Sequence, residues 1–314
     1  MSASPALLFA AVEKRYGRRM ALNRLSFSVP RGCCCGWVGA NGAGKTTAMA
    51  AAAGLVRIQA GQIDLLEEGP FDAACHAGRL TLLPQDALLP AEARPRELLT
   101  FYGELQGLAR RAAVKTAERL LDAVHLMDRA EAPLRSLSHG MRKRVMIAQC
   151  FIGNPELVLL DEPLSGLDPA EVVNMRRFLR AKPAGQTLVI SSHNLHEIEA
   201  CCDEVVFLQG GRCTRQGPLE QITGSQQCLY YAVTWETAPD WDRLASTVPE
   251  LELQYNPATR WLRCRPKDKP LGGAAINRRL IPMLLDHGVD ICAIREGDRL
   301  EDAYLASGTE APRY

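Results

Sequence analysis

GANGAGKTT, residues 39–47, decides the fold. It satisfies G-x-x-x-x-G-K-[ST], and it lies between CCCGWV, an apolar run that reads as a buried strand, and the alanine-rich AMAAAAGLV, which reads as a helix. Strand, glycine-rich turn and helix start form a cradle for phosphate. Gly42 and Gly44 let the backbone turn its N–H groups inward with no Cβ in the way, and Asn41, Ala43 and Thr47 complete the same loop. Lys45 supplies a point charge for β and γ phosphates, while the Thr46 hydroxyl suits Mg²⁺, which prefers oxygen ligands.

A second apolar run, ELVLLDEP (156–163), ends in two carboxylates at the edge where a parallel sheet presents its ligand site. Asp161 is expected to hold Mg²⁺ and Glu162 to orient the water that attacks the γ phosphate. QTLVISSH (186–193) is apolar on both faces, as parallel strands covered by helices must be. ALLFAAVE (6–13) and RLSFSV (24–29) read as early strands around a turn near Tyr16-Gly17, and DEVVFLQGG (203–211) as a hairpin arm. Lys45 and Asp161 lie 116 positions apart, and residues 93–130 carry helical periodicity, so a helical insertion must project from the sheet.

With these motifs in order, residues 1–222 resemble the nucleotide-binding subunit of an ABC transporter. The resemblance implies a P-loop α/β domain with a mixed sheet and a helical insertion at about 90–152. It also implies ATP and Mg²⁺ as ligands and ATP hydrolysis as the activity. Carried over by position, Tyr16 stacks on adenine, and Gln85 in LLPQD joins sheet to insertion near the metal. Asp168 in LSGLD reaches across a dimer, and His193 in SSHN lies near the γ phosphate. LSHGM (137–141) matches the signature, so Ser138 and the N–H groups around Gly140 are expected to cap ATP held by a second ABC ATPase subunit, identical or different. His139 and Met141 depart from the common LSGGQ, and since histidine tolerates a positive φ better than most side chains the backbone survives the change. The following Arg142, Lys143 and Arg144 read as a solvated face.

TGSQQ (223–227) reads as a linker. Beyond it, 228–314 alternates strand, helix, strand, strand, helix, strand, the order of a small ferredoxin-like α+β domain, and LEDAYLAS (300–307) reads as a closing helix. That domain carries no glycine-rich loop and no acid–base pair, so catalysis is expected in the first. The chain's 314 residues carry a formal net charge of +1, which matches neither a nucleic-acid coat nor an acidic tail. No apolar run approaches the ~18 residues that span a bilayer. The expected location is therefore cytoplasmic and peripheral, beneath a transmembrane permease on a separate chain. SHGMRKR, SGLDP and the C-terminal domain are similar to ATPases of ABC-2-type exporters. A soluble ABC ATPase acting on nucleic acid or ribosomes is the rival, but the chain shows neither heptads nor a repeated cassette, and no nucleic acid is expected. Eleven cysteines without a CxxC pair read as reduced, small hydrophobes.

Overall fold

Two long strands open the chain, β1 (Pro5–Tyr16) and β2 (Arg19–Pro30), followed by β3 (Cys34–Val38), α1 (Lys45–Ala52), β4 (Ala60–Leu65), α2 (Ala73–His76) and β5 (Leu80–Leu83). An insertion of helices follows: α3 (Pro95–Leu105), α4 (Arg110–Ala123) and α5 (His139–Gln149). The chain returns through β6 (Leu157–Asp161), α6 (Pro169–Arg180), β7 (Thr187–Ser192), α7 (Leu195–Cys201), β8 (Glu204–Gln209), β9 (Arg212–Pro218) and α8 (Leu219–Ile222). The computed structural model describes residues 4–223, 228–267, 271–297 and 300–301. The expected linker residues 224–227, and all but the first two residues of the expected closing helix, lie outside them.

The main sheet has the order β5-β6-β7-β3-β8-β9. β5 through β8 run parallel and β9 returns antiparallel along β8. Every residue of β3, β6 and β7 is buried, which explains why these strands are apolar runs and not alternating ones. Because they are parallel, their C-terminal ends share one edge, and the order places β7 between β6 and β3. A separate antiparallel sheet, β2-β1-β4, packs its apolar side into the same core. There Phe9 and Phe27 stack at 4.7 Å, and Trp37 of β3 meets both edge-on at 5.9 and 5.1 Å. Trp37 is fully buried, so its truncation to alanine would cost about 3–5 kcal/mol.

The chain divides into two compact units with the break between Leu219 and Glu220. Leu219 is still tied to the first unit by its N–H bond to the Asp203 carbonyl at 2.8 Å. The second unit comprises β10 (Leu229–Trp235), α9 (Trp241–Thr247), β11 (Leu251–Asn256), β12 (Trp261–Pro266), α10 (Gly273–Asp286) and β13 (Val289–Glu296). Its antiparallel sheet has the order β11-β12-β10-β13, the ferredoxin-like arrangement expected from its element order. Ile276, Leu280 and Leu284 of α10 fill its core against Leu229, Tyr231, Leu262 and Cys264. Six cysteines are buried, Cys34, Cys35, Cys150, Cys201, Cys202 and Cys264, whereas Cys75 and Cys292 are exposed. Burial pushes the Cys150 and Cys201 thiols up to about 12, which keeps them protonated and unreactive at neutral pH.

Candidate functional site

The loop after β3 turns through Gly42 at φ +81° and Gly44 at φ +109°, values that favour glycine. At Gly44 a Cβ would also strike the Ala21 carbonyl oxygen at 2.8 Å. Gly44 then caps α1 with no side-chain hydrogen bond, and the first turn contains no acidic residue. The N–H groups that open a helix have no intrahelical partner, so this uncapped start is a ready anion site. Lys45 is buried, and its ammonium donates to the Gly39 carbonyl at 2.6 Å and the Ala40 carbonyl at 3.4 Å. Burial lowers its pKa, and the charges of Glu162 and Asp161 pull it part of the way back.

The two acids end β6. Asp161 pairs in register with Ser191 of β7, and this pairing wires the site. The buried Ser191 hydroxyl donates to Asp161 Oδ1 and accepts the Glu162 backbone N–H at 2.9 Å. Asp161 Oδ2 is buried with no hydrogen-bond partner among the described residues. Glu162 sits at φ +49°, an unusual conformation for a non-glycine residue, and its carboxylate holds His193 Nδ1 at 3.0 Å from each oxygen. His193 follows β7 directly and is held at the start of α7, where Asn194 caps the helix through the His196 N–H.

These groups frame an open cleft of about 510 Å³ lined by Tyr16, Asn41 to Thr47, Gln85, Asp161 and Glu162. Tyr16 is 48% exposed, with the Lys14 ammonium 4.9 Å from its ring centroid. Three further residues gave no signal in the sequence. Ser191 works through strand register. Arg19 lines the cleft and donates to the Gly42 carbonyl at 3.4 Å. Lys143 is buried, and its pKa is lowered by that burial, then raised by Asp161, Glu162 and Asp86, so α5 brings a second ammonium to the field of the acid pair.

Lys143 and Arg144 thus correct the expectation of a solvated basic face. Both are 5% exposed. Arg144 Nη1 donates to the Val124 and His125 carbonyls at 2.9 and 3.3 Å and lies 3.0 Å from Glu171. These partners offset the cost of burying the guanidinium, whose Nε has no hydrogen-bond partner among the described residues.

Ser138, Gly140 and Asp168 do not line the cleft. Ser138 is exposed and caps α5, its oxygen accepting the Met141 N–H at 3.1 Å while the hydroxyl keeps a proton to donate. Asp168 is exposed and caps α6 through the Glu171 N–H at 3.0 Å. The two helix starts are neighbours: a Cβ on Gly166 would lie 3.4 Å from the His139 ring, and one on Gly140 would lie 3.4 Å from Leu167. His139 itself has a negative φ, so the replacement of glycine there needs no unusual backbone.

A profile of the ABC transporter family matches residues 22–165. The Nod factor export ATP-binding protein I of Ralstonia nicotianae is 35% identical over 242 residues, covering 76% of this chain and 75% of that protein. The chain belongs to the ABC transporter ATP-binding family. An uncharacterised ABC transporter ATP-binding protein of Bacillus subtilis is 35% identical over 224 residues, covering 70% of this chain and 74% of its own. Among solved structures, an ATP-binding subunit of an ABC transporter superposes with a TM-score of 0.61 at 28% identity, over 69% of this chain and 91% of that one. So does cbiO1 of Clostridium perfringens, described as part of the transporter complex cbiONQ, with a TM-score of 0.61 at 25% identity, over 69% and 90%. The chain is accordingly an ATP-binding and ATP-hydrolysing subunit of an ABC transporter. No helix among the described residues is long and apolar enough to cross a membrane.

Proposed function

We propose that this subunit closes head to tail with a second ABC ATPase subunit around ATP, and that the closure drives export through a permease on a separate chain. The observation that carries the shared site is the separation of its halves. Lys45 and the acid pair face one cleft, whereas Ser138, Gly140 and Asp168 sit together at exposed helix starts outside it. A triphosphate in that cleft meets a second set of donors only when another copy supplies them.

The donor set suits Mg²⁺. Asp161 Oδ2 is a buried oxygen with no protein partner among the described residues, at a burial where an unpaired carboxylate oxygen is costly. Thr46 and Gln85 line the same cleft with further oxygens. When bound, the cation would neutralise phosphate charge. Lys45 and the N–H groups opening α1 would hold the β and γ phosphates, and Tyr16 would stack on the base. Glu162 would orient the attacking water, with His193 holding the carboxylate in place.

Support for the permease comes from the insertion, where Leu88, Phe101 and Leu105 are exposed while Leu98 and Leu99 of the same region are buried. Support for export comes from relatives that are Nod factor export ATP-binding proteins, and a peripheral position on the cytoplasmic face of the membrane follows from the partner.

Mixing two defective variants tests the shared site. Lys45→Ala loses the phosphate charge and Ser138→Arg blocks the signature, so each alone should fail to dimerise with ATP. Mixed, they pair one intact cleft with one intact signature and should recover part of the wild-type dimer. If wild type dimerises and the mixture never exceeds either variant, the shared site is wrong.

A further inference from the structure

Tyr16 and Arg19 face each other across the tight turn that joins β1 to β2, paired in register on either side of Gly17 and Arg18. Gly17 takes φ +56°, a value a glycine reaches without strain. Directly opposite partners share a face with Cβ atoms about 5 Å apart, so the ring proposed to stack on the base and a guanidinium leave the hairpin together. Both line the nucleotide cleft.

The Arg19 side chain lies back over the phosphate loop. Its Nη2 donates to the Gly42 carbonyl at 3.4 Å, and a Cβ on Gly42 would come within 2.4 Å of the same nitrogen. The guanidinium thus occupies the space that the missing side chain leaves. At 3.4 Å this bond is near the outer limit for N–H···O, and it uses one donor of a group that has several. No carboxylate among the described residues forms an ion pair with Arg19. Lys45 leans on the Gly39 and Ala40 carbonyls of the same loop and is buried, whereas Arg19 is exposed at the mouth of the cleft. The two acids of the cleft, Asp161 and Glu162, act on Lys45. One loop flanked by a buried cation and an exposed one suits a chain of phosphates better than a single anion.

We propose that Arg19 is a phosphate-binding residue of the nucleotide cleft, its remaining N–H groups gripping the α and β phosphates while Lys45 serves β and γ. Register sets Arg19 beside the base platform and its hydrogen bond sets it over the loop, so it meets the phosphates where they leave the ribose. This role rests on the reading that the cleft holds ATP through Lys45 and Tyr16. Its consequence is that ADP keeps the contact after the γ phosphate has gone.

Titration calorimetry on the full chain without Mg²⁺ reads binding with no hydrolysis. Arg19→Met keeps the apolar stem and loses the charge-assisted bonds, so the Kd for ATP and the Kd for ADP should each rise about tenfold. Adenosine, followed by ligand-observed NMR, should bind wild type and variant within about twofold, which also shows that the variant keeps a folded cleft. Salt screens exposed charges, so the gap between wild type and variant for ADP should narrow to about threefold at about 0.5 M KCl. Arg19→Glu reverses the charge and should weaken both nucleotides further than Arg19→Met. The proposal is overturned if Arg19→Met binds ADP as wild type does, if adenosine weakens as much as ADP, or if salt leaves the gap unchanged. Lys45→Ala separates this role from the reading beneath it. If Lys45→Ala loses ATP while Arg19→Met binds both nucleotides normally, the role of Arg19 fails alone. If Lys45→Ala binds ATP as wild type does, the reading of the cleft fails and the proposal with it.

Discussion

Glu162→Gln separates hydrolysis from binding. The side chain is 7% exposed, and the carboxamide has the same shape, so it keeps one oxygen to accept from His193 Nδ1 and leaves the backbone bond to Ser191 intact. What changes is charge. Lys45 loses the carboxylate charge of Glu162 and keeps that of Asp161, and the phosphates lose a nearby repelling anion. ATP affinity should therefore hold or rise. On the proposed role, losing the group that orients the water should cost about 10²- to 10⁴-fold in rate, equivalent to about 3–5 kcal/mol of transition-state stabilisation. Single-turnover hydrolysis of radiolabelled ATP, with size-exclusion chromatography in parallel, should show a slow variant that accumulates as an ATP-bound dimer. Hydrolysis within tenfold of wild type would remove Glu162 from its role. Lost ATP binding in a folded variant would refute the claim that the cradle stands without it.

Asp161→Asn should erase most of the benefit of Mg²⁺: the ratio of ATP affinities with and without the cation shrinks by about tenfold or more in titration calorimetry. A ratio equal to wild type would mean that the partnerless oxygen takes no metal. Glu197, buried beside Ser192, has its pKa raised by burial, so the folded chain holds that proton more readily than the unfolded one. Its contribution to stability is present at low pH and is lost as pH rises above the ordinary glutamate value through the raised one. Glu197→Gln removes that dependence, and its Tm advantage over wild type should grow from about pH 5 to pH 7. A constant difference across that range would contradict the assignment.

Contiguous chemistry was legible in the sequence, and chemistry assembled across strands was not. The phosphate loop and the β6 acids each lie in one short run, where residue type and spacing state the function. Ser191 reads as one polar residue among SSHN, and its role as the hydroxyl that fixes both acids exists only because β6 and β7 pair Asp161 with Ser191. β4 escaped notice for a related reason. Only Ile63 and Leu65 of its six residues are fully buried, too weak a pattern to mark a strand that is defined by pairing with β1. The basic run after the signature misled because charge is read as exposure. Arg144 finds two carbonyls and a carboxylate that no local pattern announces.

Gly140 shows what folding leaves unexplained at the signature. Its φ is not positive, so the backbone asks for no glycine. A Cβ there would meet only Leu167 Cδ2 at 3.4 Å, the movable end of a side chain, so the subunit's own packing asks for none either. Glycine near the start of α5 even costs stability, up to about 1 kcal/mol relative to alanine. A residue that the fold does not need and keeps at a small cost fits the proposed head-to-tail dimer, in which the phosphate of ATP held by a second subunit would approach bare backbone N–H groups here. Gly140→Ala should therefore unfold at the wild-type temperature or slightly above it and bind ATP in its own cleft with unchanged affinity. ATP-dependent dimerisation should fall by tenfold or more. Wild-type dimerisation in this variant would show that nothing approaches α5 closely enough to require glycine, and the role given to the signature would fall with it.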